Sequence, residues 1–433
     1  MLSSYPRAIV HIDGDAFFAS CEQAMHPEWK GRAVITGKER GIVAAASYEA
    51  KARGVSRGTP LWEVKKIIPD AIIVPSDYES YSLFSKRMFE IMRRFTPEVE
   101  EYSIDEAFCD ITGLQRPLRA SYETIVRQMK ETIDRELGIT VSAGLSVSKT
   151  LAKVGSKWQK PSGCVVIPGY RIQEFLLKLT PEKIWGIGSA TAAHCAKLGL
   201  RTAWDFAAQN ERFIDEHFVK PQRETWRELN GEAVFAVETA EKHGYASIGK
   251  SKTFTPPSVD KEFIFAQLLK NMENACIKAR RHGLAAKGLV AYLRHQDFRH
   301  VGAELGFDRA TAFPLDMTDC LRRLFESLFR SGTPYRATGV VLTGLASSAT
   351  TQMCIFDQPA RIEKMTKLYA ALDGLAATMG KHCVYSAAAA SAHRLPAHVL
   401  ERGDVPTRKL TRLPGETKRR HLRIPMLQGT VRD

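Results

Sequence analysis

Three carboxylates have the types and positions to do chemistry together. Asp13 closes a short apolar run, while Asp105 and Glu106 lie side by side between two further strand-like runs. Acids brought together repel, and each resists ionising unless a cation neutralises it. Hard oxygen donors of this kind suit Mg2+, which takes one or two carboxylates along with waters and substrate phosphates. Two such ions can stabilise the attacking and the leaving oxygen of an in-line phosphoryl displacement. Spacing alone leaves a second reading open, because acidic pairs in turns are mostly solvated.

To bring residue 13 to residues 105 and 106, a sheet must set their strands side by side. Residues 7–13 (RAIVHID) are short, apolar and β-branched, and read as a buried strand that stops at a polar site. Helical spacing through Leu83, Phe84, Met88, Ile91, Met92 and Phe95 predicts a helix over 81–95. Strands are expected near 98–103 and 107–112, then a helix at about 121–137 and a strand at 139–146. That order is a ferredoxin-like βαββαβ plan, interrupted by an insertion at roughly 19–78. In such a sheet the first strand lies beside the later hairpin, so the three acids would converge at one edge.

The whole chain has 433 residues, 44% hydrophobic and 25% charged, which suits several globular domains and excludes a mainly disordered protein. No stretch approaches the roughly 20 apolar residues of a membrane span. The N-terminal MLSSYPRAIVHID has no basic and long apolar signal pattern, so a cytoplasmic protein without membrane attachment is expected. Eight cysteines stand singly with no C-x-x-C pair, which argues against structural zinc, and the missing signal pattern argues against a disulfide framework and for free thiols. A net charge of +14 fits a polyanionic partner, because Lys and Arg that neutralise phosphates release counterions.

Residues 171–239 read as helical and contain Pro181, Ile184, Gly186, Ile187 and Gly188. The two glycines permit a tight turn whose N–H groups face a phosphate before a helix starts, as in a helix-hairpin-helix. A plain helix connector is the competing reading. A basic stretch over 243–252, with Lys250 and Lys252, leads into a second apparent βαββαβ unit. Its strands are expected near 246–254, 287–296, 300–307 and 336–344, with helices at 260–282 and 316–331. Residues 241–345 hold 16 Lys+Arg against 10 Asp+Glu, consistent with a further grip on phosphates. Residues 401–433, with nine Lys+Arg and four Asp+Glu, read as a flexible basic tail.

Four segments in order carry a family resemblance: IDGDAFFASCE at 12–22, AASYEAKARGV at 45–55, YSIDEAF at 102–108 and GLSVSKTLAKVGSKWQKPSG at 144–163. With the hairpin, they make residues 7–385 similar to the Y-family DNA polymerases, the DinB/UmuC group that copies damaged templates. Ser20–Glu22 and Glu49–Ala52 have a UmuC flavour, while the hairpin and C-terminal half look DinB-like. The resemblance implies an α+β multidomain, right-hand-like polymerase. Its ferredoxin-like palm would be 1–18 and 79–170, its small fingers 19–78, and its helical thumb 171–240. The βαββαβ little finger would be 241–346, and a C-terminal tail 347–433.

On the same footing, Asp13, Asp105 and Glu106 would be the metal-binding catalytic acids, and Gly14 would offer its backbone carbonyl. Two Mg2+ ions are implied, with Mn2+ able to substitute. Phe18 would be the steric gate against a ribonucleotide 2′-OH, with Phe17 beside it among the substrate-binding residues; core packing is the competing reading for both rings. Tyr48, Lys51 and Lys160 would bind the triphosphate, with Lys51 where many relatives have arginine, so that the bidentate fork is lost. Lys149 and Lys153 lie near the site or on a solvated helix face. Gly186, Ile187, Gly188, Lys250 and Lys252 would contact DNA. Gln352, Met353, Ile355 and Phe356 stand where DinB-type relatives carry a sliding-clamp peptide.

The small residues Gly41–Ala46 would either leave an open roof over the nascent base pair or form a packed alanine-rich strand. The implied activity is low-fidelity, template-directed nucleotidyl transfer from dNTPs onto primer-template DNA, crossing lesions, by a monomer working with a sliding clamp. An inactive polymerase-like adaptor is the alternative, disfavoured because all three acids are present. A nucleotide cyclase would need no DNA grip.

Overall fold

The computed structural model describes residues 5–240, 244–350, 358–394, 411–413 and 416. The chain divides into two compact units, Met1–Ala240 with Thr407–Asp433, and Glu241–Pro406. Residues Gln352, Met353, Ile355 and Phe356 lie outside the described residues.

Strands of the first unit are β1 (Ile9–Gly14), β2 (Val34–Thr36), β3 (Ala45–Ala46), β4 (Ile72–Val74), β5 (Val99–Glu101), β6 (Glu106–Asp110), β7 (Val141–Ser146) and β8 (Cys164–Val166). Five of them form one sheet in the order β5-β6-β1-β7-β8. The first four give the ferredoxin-like order, with β1 antiparallel to both β6 and β7. An edge strand, β8, is added parallel to β7 and was not expected from the sequence. β1 is buried along its whole length because helices cover both faces of the sheet.

Alternate residues of β1 serve the two faces. Val10 and Ile12 enter a core with Met88 and Ile91 of helix Tyr78–Met92 and Val126 and Met129 of helix Tyr122–Leu137. Side chains of Asp77 and Ser121 cap these helices by accepting from the N–H groups of Ser80 and Thr124. Ile9 packs the other way, with Phe108 and Ala152 of helix Lys149–Trp158. That helix sits against β7 at Gly144, where a Cβ would come within 2.0 Å of the Ala152 carbonyl. Only glycine permits so close a seat, and the seat aims the helix lysines at the acids.

β3-β2-β4 form a separate small sheet with its own core of Ile35, Val43, Ala46, Val64 and Ile68. Helix Phe17–Met25 leads into this insertion, yet Phe17 and Cys21 are buried in the palm core. Residues 172–229 form a group of short helices around Ile184, Ile187, Cys195, Phe206, Ile214 and Leu229. The tail needs correction at the residues described there. Leu413 joins the palm core, and Glu416 receives two hydrogen bonds from the wholly buried Arg87, at 2.7 and 3.0 Å. A buried guanidinium requires a carboxylate partner, and this one comes from the end of the chain.

The second unit is a four-stranded antiparallel sheet of β9 (Ile248–Ser258), β10 (Leu284–His295), β11 (His300–Thr311) and β12 (Tyr335–Ser347). The element order is βαββαβ as expected, but the sheet order is β11-β10-β12-β9. Here the last strand lies between the first and second, whereas in the palm the first strand lies between the third and last. Helices Lys261–Arg281 and Pro314–Leu328 cover one face through Leu268, Met272, Leu321 and Phe325. Asn271 ties the first helix to the sheet by donating to the Thr338 carbonyl and hydroxyl. Helix Pro359–Met379 is anchored on this unit by Asp373, which accepts two 2.7 Å hydrogen bonds from Arg280.

Candidate active site

The register of the palm sheet brings the acids together. Asp13 on β1 stands directly opposite Glu106 on β6, and the Gly14 N–H donates to the Asp105 carbonyl at 2.8 Å. Asp105 sits in the turn before β6, where its carboxylate accepts from the Ser103 hydroxyl at 2.7 Å. That hydroxyl in turn accepts from the N–H groups of Asp105 and Glu106.

Two of the acids are held by lysines. Lys160 donates to Asp13 at 2.5 Å, and Lys153 to Glu106 at 2.7 Å. Asp13 is nonetheless pushed up to about 6, mainly by burial, with Glu106 and Asp105 adding to the rise and Lys160 opposing it. The donors are all hard oxygens whose negative charges repel, which is the set a divalent cation suits.

Lys149 and Lys153 are not on a solvated face. Both are buried on helix Lys149–Trp158, and Lys149 donates to Glu100 at 2.6 Å. Lys153 also lies over the rings of Tyr102 and Trp185, at 4.5 and 5.2 Å.

His11 and Asp15 belong to the same site and escaped the sequence reading. Strand alternation puts His11 and Asp13 on one face of β1, which was the available signal, and Asp15 follows in the turn after the strand. Asp15, 1% exposed, accepts from the Ser142 hydroxyl and from the Ser162 N–H, and lies 3.5 Å from Lys160. His11 is wholly buried, 2.6 Å from the Ser156 hydroxyl by Nδ1 and 4.0 Å from Glu106 by Nε2. Burial holds its pKa well below the ordinary range, and Lys153, Lys157, Lys160 and Lys149 add to that. The ring is therefore neutral beside the acids.

Of the expected nucleotide-binding residues, Phe17 is core and Phe18 is half-buried, stacked on Tyr81 at 4.5 Å and 17°. Tyr78 meets Phe18 edge-on at 5.2 Å. Tyr81 is itself fixed by donating to Glu22. Lys51 lies over the Tyr48 ring at 4.3 Å. Tyr48 is pushed up to about 12 by burial and by the charges of Asp15 and Asp13. Lys51 is lowered by burial and by Lys160, so three candidate phosphate ligands share one neighbourhood with the acids. In the segment above them, Val43 and Ala46 are packed while Gly41 and Ile42 are exposed.

The hairpin has the shape its glycines require. Gly186 adopts φ +90°, and a Cβ there would strike the Thr225 hydroxyl at 2.7 Å. Gly188 is exposed and caps helix Ser189–Lys197, whereas the side chain of Ile187 is buried. With its side chain packed away, Ile187 has only backbone groups to offer. In the second unit, Lys250 and Lys252 alternate in step with Ile248 and Phe254, the core-facing residues of β9. Both lysines are half-buried on the helix-covered side, and Gly249, Ser251 and Thr253 occupy the other face.

A helix-flanked palm sheet with paired acids at one end of its central strands, a hairpin and a second βαββαβ module define the class: a right-hand-like polymerase. Comparison with known proteins agrees in detail. Residues 12–157 match the impB/mucB/samB family and residues 246–354 its C-terminal domain. A DNA polymerase IV of Desulfatibacillum aliphaticivorans is 32% identical over 88% of this chain and 96% of that protein. A DNA polymerase IV of Listeria innocua is 31% identical over 78% of this chain and 95% of that protein. Among solved structures, a Y-family DNA polymerase chimera superposes with a TM-score of 0.66 at 27% identity, covering 78% of this chain and 99% of its own. The chain belongs to the Y-family DNA polymerases, in their DinB-type branch. No helix among the described residues is long and apolar enough to cross a membrane.

Proposed function

We propose that this protein is a DNA-directed DNA polymerase that inserts deoxynucleotides opposite damaged template bases. The observation that carries the reading is the placement of Asp13 opposite Glu106, with Asp105 alongside and Lys160, Lys51 and Tyr48 gathered around them. One of the similar solved structures, 26% identical with a TM-score of 0.50, is an insertion ternary complex of a Dbh DNA polymerase. The substrates assigned here are primer-template DNA and a dNTP.

Asp13, Asp105 and Glu106, with the Gly14 carbonyl, would hold two Mg2+ ions, or Mn2+ in their place. Bound there, the ions supply charge stabilisation to the reacting phosphate oxygens. The chain's own residues do the positioning, which dominates phosphoryl transfer. Tyr48, Lys51 and Lys160 receive the triphosphate, so Lys160 exchanges a carboxylate for a phosphate. Phe18, braced by Tyr81 and Tyr78, closes the space a 2′-OH would need. The primer 3′-OH then attacks the α-phosphorus, a new P–O bond forms and pyrophosphate leaves.

Gly186 and Gly188 present backbone N–H groups to a DNA phosphate, and the basic second unit gives a further grip. We assign the protein to the cytoplasm as a monomer, with Gln352, Met353, Ile355 and Phe356 as the peptide for a sliding clamp.

Extension of a labelled primer on intact and lesion-bearing templates tests the proposal. Metal-dependent, dNTP-selective extension that crosses at least one lesion is expected. A folded, DNA-binding chain that extends nothing, with or without the clamp, would overturn it.

A further inference from the structure

Polymerase chemistry leaves one buried cluster of the second unit unused. Glu273 on helix Lys261–Arg281 is 8% exposed, and the His393 side chain, in the short helix Ala390–Arg394, is 9% exposed. His393 Nε2 and Glu273 Oε2 stand 3.9 Å apart, beyond hydrogen-bonding distance. Neither atom has a hydrogen-bond partner among the described residues. A buried polar atom left unpaired is costly, and here two face each other.

His382 completes the group. One ligand-type atom from each of Glu273, His382 and His393 lies within 4.8 Å of the other two. The His382 and His393 ring centroids are 4.7 Å apart, and Tyr385 stacks on His393 at 4.1 Å, restricting its rotation. The other Glu273 oxygen accepts from the Ser386 N–H at 3.1 Å, and His382 Nε2 lies 3.1 Å from the Asn274 side-chain oxygen.

We propose that Glu273, His382 and His393 form a binding site for a first-row transition-metal dication, with zinc the best match. Two imidazoles and a carboxylate are a borderline donor set of a kind zinc takes, leaving a fourth position for water. Magnesium, which takes oxygen ligands, does not fit. Bonds of about 2.0–2.2 Å place tetrahedral ligands about 3.3–3.6 Å apart, so the observed atoms need to close by little more than an ångström. The contact of His382 Nε2 with Asn274 leaves Nδ1 for the ion, and it is the kind of outer support that orients ligating histidines. A bound ion would satisfy both unpaired atoms and fasten the segment around residues 382–393 to helix Lys261–Arg281. No compact sequence motif announces the site, because Glu273 is more than a hundred residues from either histidine.

The test uses the full chain, freed of metal by a chelator and titrated with Zn2+ and with Co2+ in excess Mg2+, which occupies the oxygen sites. One tight Zn2+ equivalent is expected, with Co2+ giving the visible absorption of a four- or five-coordinate nitrogen–oxygen site. His382→Asn with His393→Asn should abolish both, Glu273→Gln should weaken Zn2+ at least 10-fold, and Asp105→Asn should leave both intact. Zn2+ should also raise the melting temperature of the wild type and not that of the histidine variant. A wild-type chain without a tight Zn2+ equivalent overturns the proposal whatever the variants do. So does a tight equivalent that survives in the folded histidine or Glu273→Gln variants, or one lost with Asp105→Asn.

Discussion

Asp13 and Glu106 face each other across the β1–β6 ladder, and each is held by its own lysine, Lys160 for the first and Lys153 for the second. The two lysines differ in setting. Lys153 is packed in a buried helix, while Lys160 is about a quarter exposed, with Lys51 in electrostatic reach. This asymmetry suits Lys160 to exchange its carboxylate for a substrate phosphate, and Lys153 to remain in place as support.

Asp105→Ala and Glu106→Ala should each reduce primer extension by on the order of 10³-fold, since charge stabilisation at the reacting phosphate is the main catalytic term. DNA affinity should be unchanged, because phosphate contacts elsewhere supply it. Glu106→Ala should also cost about 2–3 kcal/mol of stability by leaving buried Lys153 without its carboxylate. Single-nucleotide insertion, DNA anisotropy titration and denaturant unfolding check the three parts. Extension at the wild-type rate would remove the acid from the reaction.

Phe18→Ala should let ribonucleotides in, lowering the dNTP-over-rNTP preference by on the order of 100-fold. Phe18 is held by Tyr81 and Tyr78, so Tyr81→Phe, which keeps the ring, should preserve selectivity even though it loses the hydrogen bond to Glu22. Insertion kinetics with paired dNTP and rNTP measure this. Unchanged sugar selection in Phe18→Ala would exclude Phe18 as the gate.

Asp13 titrates at about 6 in the folded chain against an ordinary 3.8, so the folded state binds more protons between those values. Its contribution to stability is therefore present below 3.8 and lost as pH rises through about 6. Activity runs the other way, because the ionised acid is the working form. In chelator, the melting temperature of the wild type relative to that of Asp13→Asn should decline between about pH 4 and 6. Identical melting profiles would show that Asp13 is not perturbed.

Glu416→Ala should destabilise the first unit by about 3 kcal/mol, because it strips a fully buried Arg87 of a bidentate carboxylate partner. Arg87→Met with Glu416→Leu should recover much of the loss, since a matched apolar pair avoids the unpaired charge. Denaturant unfolding of the single and double variants measures the coupling, and additive effects would show that the contact is inert.

The amino-acid sequence by itself determined the element order and the chemical types. The apolar, β-branched run of residues 7–13, the helical spacing of 81–95 and the acids at 13, 105 and 106 are local patterns, and they hold in the structure. So does the Gly186 turn, because its positive φ requires that residue type locally. Tertiary structure decided what depends on partners distant in the chain. Lys149 and Lys153 look like solvated helix charges until Glu100 and Glu106 are brought to them by the sheet. The last strand of the second unit inserts between the first and second, a pairing that alternation along a single strand cannot specify. Arg87 looks like a surface residue until the end of the chain buries it with Glu416. Local pattern encodes which face of an element is apolar. Which charge is neutralised, and by what, depends on contacts formed only when the chain closes on itself.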